Sequence, residues 1–293
     1  MRLVKSVLLL LLCSCSSSAP QSARHNGDIT CDAAQRTGTL PREVREASGV
    51  AISSRNAGIL WVHNDDDPAV LFAVDSTGAL KGKVAVPVHN VDWEDIAVAP
   101  CGAASCVYIA DIGDNRQTRA DRAIYMVPEP LVGDANARAA LRFPFHMPGK
   151  SQDAEALFVM PDGTMYIVTK GRSGPITLYE FPQPAQPNVD VELKPAFVLS
   201  AGLVQLPDLV TGAGVTPDGA FIVIRSYSGF QLYHLGNDTL KSVLPQAYDL
   251  TPLREPQGEG VDIRADGTLF FVSERGFGDA APPISRVQCH LAR

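Results

Sequence analysis

Three glutamates begin similar apolar segments that lie far apart in the chain. They are Glu94 in "DWEDIAV", Glu155 in "DAEALFV" and Glu259 in "GEGVDI". Carboxylates that converge are unfavourable unless they are protonated, paired or bound to a cation. Their oxygens suit calcium or magnesium better than zinc, and positioned carboxyl groups can also transfer protons. Three interpretations stay open: structural contacts with backbone N–H groups and cations, a divalent-cation site, and acid–base catalysis.

The elements that carry these glutamates repeat along the chain. Five segments each contain an apolar run, a turn of Gly or Pro-Asp-Gly character, and a second run rich in aromatic and β-branched residues, as in a β-hairpin. Aligned, they place one residue each at a shared position, about 50 residues apart as in propeller blades. These residues are Ser48, Glu94, Glu155, Ala213 and Glu259. The spacing predicts an all-β propeller of four-stranded blades, with five blades visible and six possible; a β-sandwich is the alternative.

Charged and polar residues end the second strand of each hairpin. They are Asn64 and Asp65, Asp111, Lys170, Arg225 and Glu274. In an antiparallel hairpin, the start of the first strand lies beside the end of the second. We therefore expect all these side chains around the mouth of the central channel. There an acidic arc would face a basic pair, and we predict that Lys170, Arg225, Asn64, Asp65 and Glu274 bind a ligand.

The last repeat lacks one strand, and a propeller ring must close. The segment "DITCDAA", residues 28–34, can supply the missing outer strand. That arrangement would bring Cys31 beside Cys289, and an exported chain permits a disulfide between them. Cys101 and Cys106 flank a hairpin turn and predict a second, local disulfide.

The first residues predict export. A basic start, an apolar run and small polar residues are typical of a secretory signal, over residues 1–14. The stretch from Leu12 to Cys15 resembles the bacterial lipobox, which predicts lipidation of Cys15 and attachment to the outer or plasma membrane. A cleaved signal with incidental cysteines is the alternative. Residues 15–30 read as a flexible tether, and residues 31–293 as the propeller domain.

Composition restricts the partners. The 293-residue chain has a formal net charge of −7, and this acidic excess argues against a nucleic-acid partner, because the phosphate backbone is also negatively charged. We expect a monomer that meets the membrane through its lipid alone. The sequence contains no nucleophile elbow, P-loop, HExxH or dinucleotide fingerprint. An enzymatic function would therefore depend on the ring of charges.

A family resemblance covers most of the repeats, from about Ser48 to Glu274. The ordered phrases "LWVHNDDD", "DWEDIAV", "YIADIGDN", "DAEAL", "YIVTKG" and "GEGVDI" resemble exported bacterial β-propeller proteins of the WD-repeat-like type. More distantly, the chain is similar to propellers of the gluconolactonase and phytase-like esterase type, whose acidic channel residues hold a divalent cation. That similarity implies a metal set of Glu94, Glu155, Glu259 and Asp111, with calcium or magnesium as the ion.

Two functions follow as hypotheses. The first is a cell-envelope lipoprotein that binds a small ligand or a protein partner at the polar mouth of the channel. The second is a divalent-metal-dependent hydrolase of an ester, lactone or phosphoester. The first is favoured because the sequence contains no recognisable catalytic motif, and fold alone does not determine function.

Overall fold

The computed structural model describes residues 29–236, 239–276 and 280–291. Within these ranges the chain is all-β, apart from one 3-10 turn, η1 (Thr251–Leu253). The strands form five sheets that follow one another along the chain. This confirms the predicted propeller and its five blades. The signal segment and Cys15 lie outside the described residues.

The strands fall into blades as follows. Blade 1 contains β3 (Ala47–Ile52), β4 (Leu60–Asn64), β5 (Val70–Val74) and β6 (Leu80–Ala85). Blade 2 contains β7 (Trp93–Cys101), β8 (Ala104–Asp111), β9 (Ala123–Pro128) and β10 (Leu141–His146), with β14 (Val191–Glu192) added at its edge. Blade 3 contains β11 (Ala154–Val159), β12 (Met165–Thr169), β13 (Thr177–Glu180) and β15 (Lys194–Val198). Blade 4 contains β16 (Val210–Val215), β17 (Ile222–Ser226), β18 (Gly229–Gly236), β19 (Thr239–Ser242) and the short β20 (Tyr248–Asp249).

Blade 5 joins the two ends of the chain. Its inner strands are β21 (Gln257–Ile263), β22 (Thr268–Glu274) and β23 (Pro283–His290), and its outer positions are filled by β1 (Thr30–Cys31) and β2 (Gln35–Thr39). Cys31 and Cys289 are partners in this pairing and form a disulfide. The predicted N-terminal closure and its disulfide are confirmed. So is the Cys101–Cys106 disulfide across the β7–β8 hairpin.

The Pro-Asp-Gly turns have a local explanation. In the β11–β12 turn, Gly163 has φ +89°, a conformation that favours glycine because it has no Cβ. Asp162 Oδ1 accepts a hydrogen bond from the Thr164 N–H at 2.9 Å, which closes the turn. The β16–β17 turn repeats the arrangement, with Gly219 at φ +73°. These two hairpins are therefore determined by residues that lie close together in the sequence.

The apolar cores lie between neighbouring blades. Five clusters of buried residues are present in the described chain, each contributed by two adjacent blades. Trp61 of blade 1 and Trp93 of blade 2 are both fully buried in one of them. Each blade is therefore stabilised mainly by its neighbours, which explains why the ring must close.

The inner strands touch one another along the axis. A Cβ added at Gly260 would lie 2.7 Å from the Val50 backbone nitrogen and 2.9 Å from the Gly49 Cα atom. The Asp95 carboxylate crosses the axis and accepts hydrogen bonds from the backbone N–H groups of Ile96, Leu157 and Ala213 at 2.9, 3.0 and 3.1 Å. The axis is therefore closed below the mouth, and a cavity remains at each end.

Candidate functional site

A β-bulge re-aims one residue of each inner strand. The strand pairing shifts register at the start of β3, β7, β11, β16 and β21, and such a bulge bends the strand and redirects its side chains. The residues at the shifts are Ser48, Glu94, Glu155, Thr211 and Glu259. The prediction of Ala213 at this position was wrong. Ala213 lies deeper in the strand, where its N–H binds Asp95, because the bulge and not the sequence similarity sets the register.

The bulges surround a cavity of about 260 Å³, which we call the cup. Its lining comprises Asp65, Asp92, Glu94, Asn115, Glu155, Lys170, Arg172, Leu206, Leu209, Tyr227, Gln257, Glu259 and Glu274. The structure therefore brings together six of the sequence-predicted site residues, namely Asp65, Glu94, Glu155, Lys170, Glu259 and Glu274. Asn64, Asp111 and Arg225 do not line it.

Arg225 has a different environment from the one predicted. Its side chain is fully buried, and its Nη1 donates hydrogen bonds to the Gly260 and Val272 carbonyls at 2.8 and 2.9 Å. Its Nη2 pairs with Glu255, which is itself buried. The arginine thus clamps blade 4 to the bulge of blade 5 and does not reach the mouth. Sequence reasoning missed Glu255 because it precedes the strand and has no repeat equivalent.

Asn64 and Asp111 are also engaged beside the cup. The Asn64 amide accepts a hydrogen bond from the Glu46 N–H at 3.2 Å and donates one to the Glu43 carbonyl at 3.0 Å. Asp111 is paired with Arg119 at 2.8 Å. Burial raises the pKa of Asp111, while Arg119 opposes the rise. Arg119 lies in a loop between blade strands, and nothing in the repeat pattern indicated it.

A carboxyl pair and a lysine form the blade 2–blade 3 side of the cup. Lys170 Nζ lies 2.7 Å from Glu155 Oε1, and Glu155 hydrogen-bonds with the Glu94 carboxyl. Burial raises the pKa of Glu155 to about 7, although Lys170 lowers it. The pKa of Glu94 is raised well above its usual range by burial and then by Glu155. Both shifts favour a proton shared between the two carboxyl groups, and Lys170 is already paired with Glu155.

The blade 5–blade 1 side carries further carboxyl groups. Burial, then Glu155 and Glu274, raises the pKa of Glu259 well above its usual range. Burial and Glu46 raise the pKa of Glu274 to about 7. Gln257 Nε2 joins the two by donating to Glu259 at 2.8 Å and to Glu274 at 2.6 Å.

Asp65 completes this side of the cup. Burial, Glu46 and Glu274 raise its pKa to about 7. Its buried Oδ1 has no hydrogen-bond partner within the described ranges. A grouping of three carboxylates, Glu46, Asp65 and Asp66, has ligand oxygens within 4.8 Å of one another. In the described chain, the predicted metal set of Glu94, Glu155, Glu259 and Asp111 does not form such a group, because its oxygens do not all lie within that distance.

The side of the cup beside blade 4 is apolar. Leu206, Leu209 and Tyr227 line it from the segments that flank β16 and β17. Leu206 is 71% exposed, and the Tyr227 hydroxyl hydrogen-bonds with Lys170. Acidic groups line the cup as expected, whereas of the predicted basic pair only Lys170 does so, joined by Arg172. Tyr227 lies two residues after Arg225, the predicted strand end, so its position was a usable signal that sequence reasoning did not use.

No family model matches the chain. No curated protein matches it either. Among solved structures, it is similar to the PQQ-bound aldose sugar dehydrogenase from Streptomyces coelicolor, at 12% identity over 89% of this chain and 98% of that chain, with a TM-score of 0.52. A glucose dehydrogenase gives 11% identity over 87% of this chain and 98% of that chain, with a TM-score of 0.53. A gluconolactonase from Xanthomonas campestris gives 12% identity over 88% and 95%, with a TM-score of 0.47.

At 11–12% identity, the two similarities with a TM-score above 0.5 establish the fold alone. The resemblance to enzyme propellers predicted from sequence is therefore confirmed at the level of the fold. The two disulfides are typical of proteins that fold in an oxidising compartment. Among the described residues, no helix has the length and apolar character needed to cross a membrane. The chain is a five-bladed, disulfide-closed β-propeller with an acidic cup at one end of its axis.

Proposed function

We propose that the protein binds a small, positively charged ligand in the cup, with calcium as its simplest form. One observation carries the proposal: six carboxyl groups line one cavity of about 260 Å³, while its two basic side chains, Lys170 and Arg172, are already paired with Glu155 and Asp153. Like charges this close are unfavourable unless protons or a cation offset them. A bound cation would replace the protons that the raised pKa values keep on these groups.

Asp65, Glu259 and Glu274 are the ligands that we propose for the cation. Their oxygens do not all lie within 4.8 Å of one another, so binding would draw these side chains together. Asp65 has an oxygen without a partner, and the other two share Gln257 as their side-chain donor. Calcium fits better than magnesium because it accepts irregular oxygen coordination, whereas magnesium demands a near-octahedral arrangement. Glu94 remains available because, in the described chain, its hydrogen-bond partner is another carboxyl group.

Calorimetric titration tests the proposal. Wild type at pH 7 should bind calcium and release protons, which titrations in two buffers of different ionisation enthalpy would measure. Glu259→Gln should weaken binding at least about tenfold, the loss of one charged ligand contact being worth about 1.4 kcal/mol or more. Glu192→Gln is the matched control, because this glutamate is exposed on the outer edge of blade 2. Absence of calcium heat together with unchanged thermal stability would refute calcium as the ligand.

The cofactor of the compared dehydrogenase does not suit this cup. PQQ is a quinone that carries several carboxylate groups. The cup presents six carboxyl groups, and its basic side chains are engaged, Lys170 by Glu155 and Arg172 by Asp153. A polyanion would meet repulsion without a free basic partner. We therefore attribute no redox chemistry to this site.

Metal-dependent hydrolysis is the second candidate, and one observation favours it. Glu155 has a pKa raised to about 7 and contacts both Glu94 and Lys170. A carboxyl group with a pKa near the working pH is suited to general acid–base catalysis, and a neighbouring cation could polarise an ester, lactone or phosphoester. Calcium-dependent turnover of p-nitrophenyl acetate, p-nitrophenyl phosphate or a sugar lactone, lost in Glu155→Gln and kept in Glu192→Gln, would support this function. Calcium binding without turnover would leave cation binding as the only supported function.

We also propose that the propeller is a monomer attached to the cell envelope through Cys15. The two disulfides support export, and the lipobox resemblance motivates the anchor. Labelled palmitate should follow the protein into the membrane fraction and be absent from Cys15→Ala. Label that persists in this variant would contradict the anchor.

A further inference from the structure

The two walls of the cup differ in chemistry, and a bare ion would use one of them. Asp65, Glu259 and Glu274 face from blades 5 and 1, whereas Leu206 and Tyr227 face from the segments beside blade 4. Arg225, the predicted basic partner on that side, is withdrawn into the contact between blades 4 and 5. A ligand that fills the cup therefore meets negative charge on one side and apolar surface on the other.

Leu206 is held at the lip by its neighbours. The backbone N–H of Val204 donates to the Gly171 carbonyl at 2.9 Å, and that of Ser228 donates to the Pro207 carbonyl at 3.1 Å. Ser228 Oγ also donates to Asp208 at 2.8 Å. These contacts tie the segment on both sides of Leu206 to blades 3 and 4. The leucine is 71% exposed in a fixed position, so its apolar surface faces the mouth as part of the built cavity.

Leu209 and Tyr227 continue this surface into the cup. Leu209 is 5% exposed and lines the cavity below the lip. Tyr227 also lines the cavity and directs its hydroxyl to Lys170. Aromatic rings attract organic cations, and they also pack against apolar groups. These three side chains make up what we call the apolar wall of the cup.

We propose that the ligand is an organic ammonium compound with a short apolar body. Its charged nitrogen would lie among Asp65, Glu259 and Glu274, and its carbon chain would lie against Leu206, Leu209 and Tyr227. This inference rests on the proposed cation binding and adds the class of ligand. A hydrated metal ion leaves the apolar wall unused, and an anionic ligand meets the carboxyl groups.

The test uses methyl-, ethyl-, propyl- and butylammonium as probes. Each is titrated into the full-length folded protein, with and without calcium, at pH 7. Affinity should rise about fourfold for each added methylene group that becomes buried against the wall, and calcium should compete. In Leu206→Asn the dependence on chain length should flatten, while calcium affinity stays within twofold of wild type, roughly the error of such a comparison. Val198→Asn is the control, because Val198 is 63% exposed on the outer strand β15.

The outcomes separate the two proposals. Calcium binding without any alkylammonium binding, or alkylammonium binding that is independent of chain length, overturns the ammonium inference and leaves cation binding intact. If neither calcium nor an alkylammonium ion binds, both the proposed cation binding and the ammonium inference are wrong. Chain-length dependence without calcium binding supports the ammonium inference and removes the metal from the proposed function. An equal loss of the chain-length dependence in Leu206→Asn and Val198→Asn would also overturn the inference, because Leu206 would then have no specific role in binding.

Discussion

The two ends of the propeller axis are lined by the same five inner strands and have opposite chemistry. The cup collects six carboxyl groups where these strands begin. The cavity at the other end, about 310 Å³, is lined where they finish by Ile52, Val98, Val159, Val215 and Ile263. In a regular strand, alternate residues face the same side. The bulges interrupt this alternation only at the cup end, so polar side chains converge there and aliphatic ones at the other end.

The closed stretch between the ends makes this difference possible. Asp95 accepts three backbone hydrogen bonds from three blades, and Gly49, Gly212 and Gly260 let the strands meet. Asp262 does the same on the apolar side, where it accepts hydrogen bonds from the Ile52 and Ile263 N–H groups. The four predictions below test the division between the ends.

Asp95→Ala should have the largest effect. It would leave buried N–H groups of Ile96, Leu157 and Ala213 without their acceptor. Since each unsatisfied donor costs about 1–3 kcal/mol, we expect the three to lower the free energy of unfolding by about 3–9 kcal/mol. Urea denaturation followed by tryptophan fluorescence measures it. A loss below about 1 kcal/mol would show that the carboxylate does not hold the inner strands together.

Arg225→Gln should have the second-largest effect on stability. It removes the partner of the buried Glu255 carboxylate and the clamp on the blade 5 bulge, and breaking a buried ion pair costs about 3–5 kcal/mol. Lys81→Gln is the control, since that lysine is 44% exposed in its ion pair with Asp75. A stable Arg225→Gln protein with altered ligand affinity would instead restore the mouth position predicted from sequence.

Gly260→Ala should have a smaller effect through backbone contact. The new Cβ would lie 2.7 Å from the Val50 nitrogen, and forcing an extra methyl group into a packed site costs about 1–3 kcal/mol. Gly133→Ala is a matched control, because nothing lies within 4 Å of its added Cβ. Equal denaturation midpoints for the two variants would mean that the inner strands are not in tight contact.

The pH dependence should be the smallest effect. The pKa values of Asp65, Glu155 and Glu274 are each raised to about 7, chiefly by burial. A raised carboxyl pKa stabilises the fold fully below the unfolded value of about 4 and loses that contribution as pH rises through about 7. The melting temperature of calcium-free protein should therefore fall between about pH 5 and 8, by about 2–4 °C per kcal/mol lost.

Two comparisons sharpen this measurement. Calcium added at pH 8 should restore the melting temperature, because it binds the ionised carboxyl groups. Glu274→Gln should flatten the profile, because it removes one of the groups with a raised pKa. A profile that rises from pH 5 to 8 in the absence of calcium would contradict the protonated state of the cup.

The fold was predictable from sequence because its determinants are local and repeated. Alternating apolar hairpins, turns such as that at Gly163 and a missing outer strand led to five blades and to the Cys31–Cys289 closure. The site was partly predictable for the same reason. Strand ends place Glu94, Glu259 and the other cup carboxyl groups on one face, since antiparallel pairing leaves no other arrangement.

The sequence alone determined the blades, their closure and the acidic side of the cup, because these follow from strand periodicity and pairing within short segments. Tertiary structure decided which charged groups remain available. Arg225 pairs with Glu255, thirty residues away, and therefore does not reach the mouth, whereas Lys170 pairs with Glu155 within its own hairpin. It also placed Leu206 and Tyr227 opposite the carboxyl groups. Such choices depend on distances between blades, and a buried charge takes whichever partner the packed structure brings within hydrogen-bond reach.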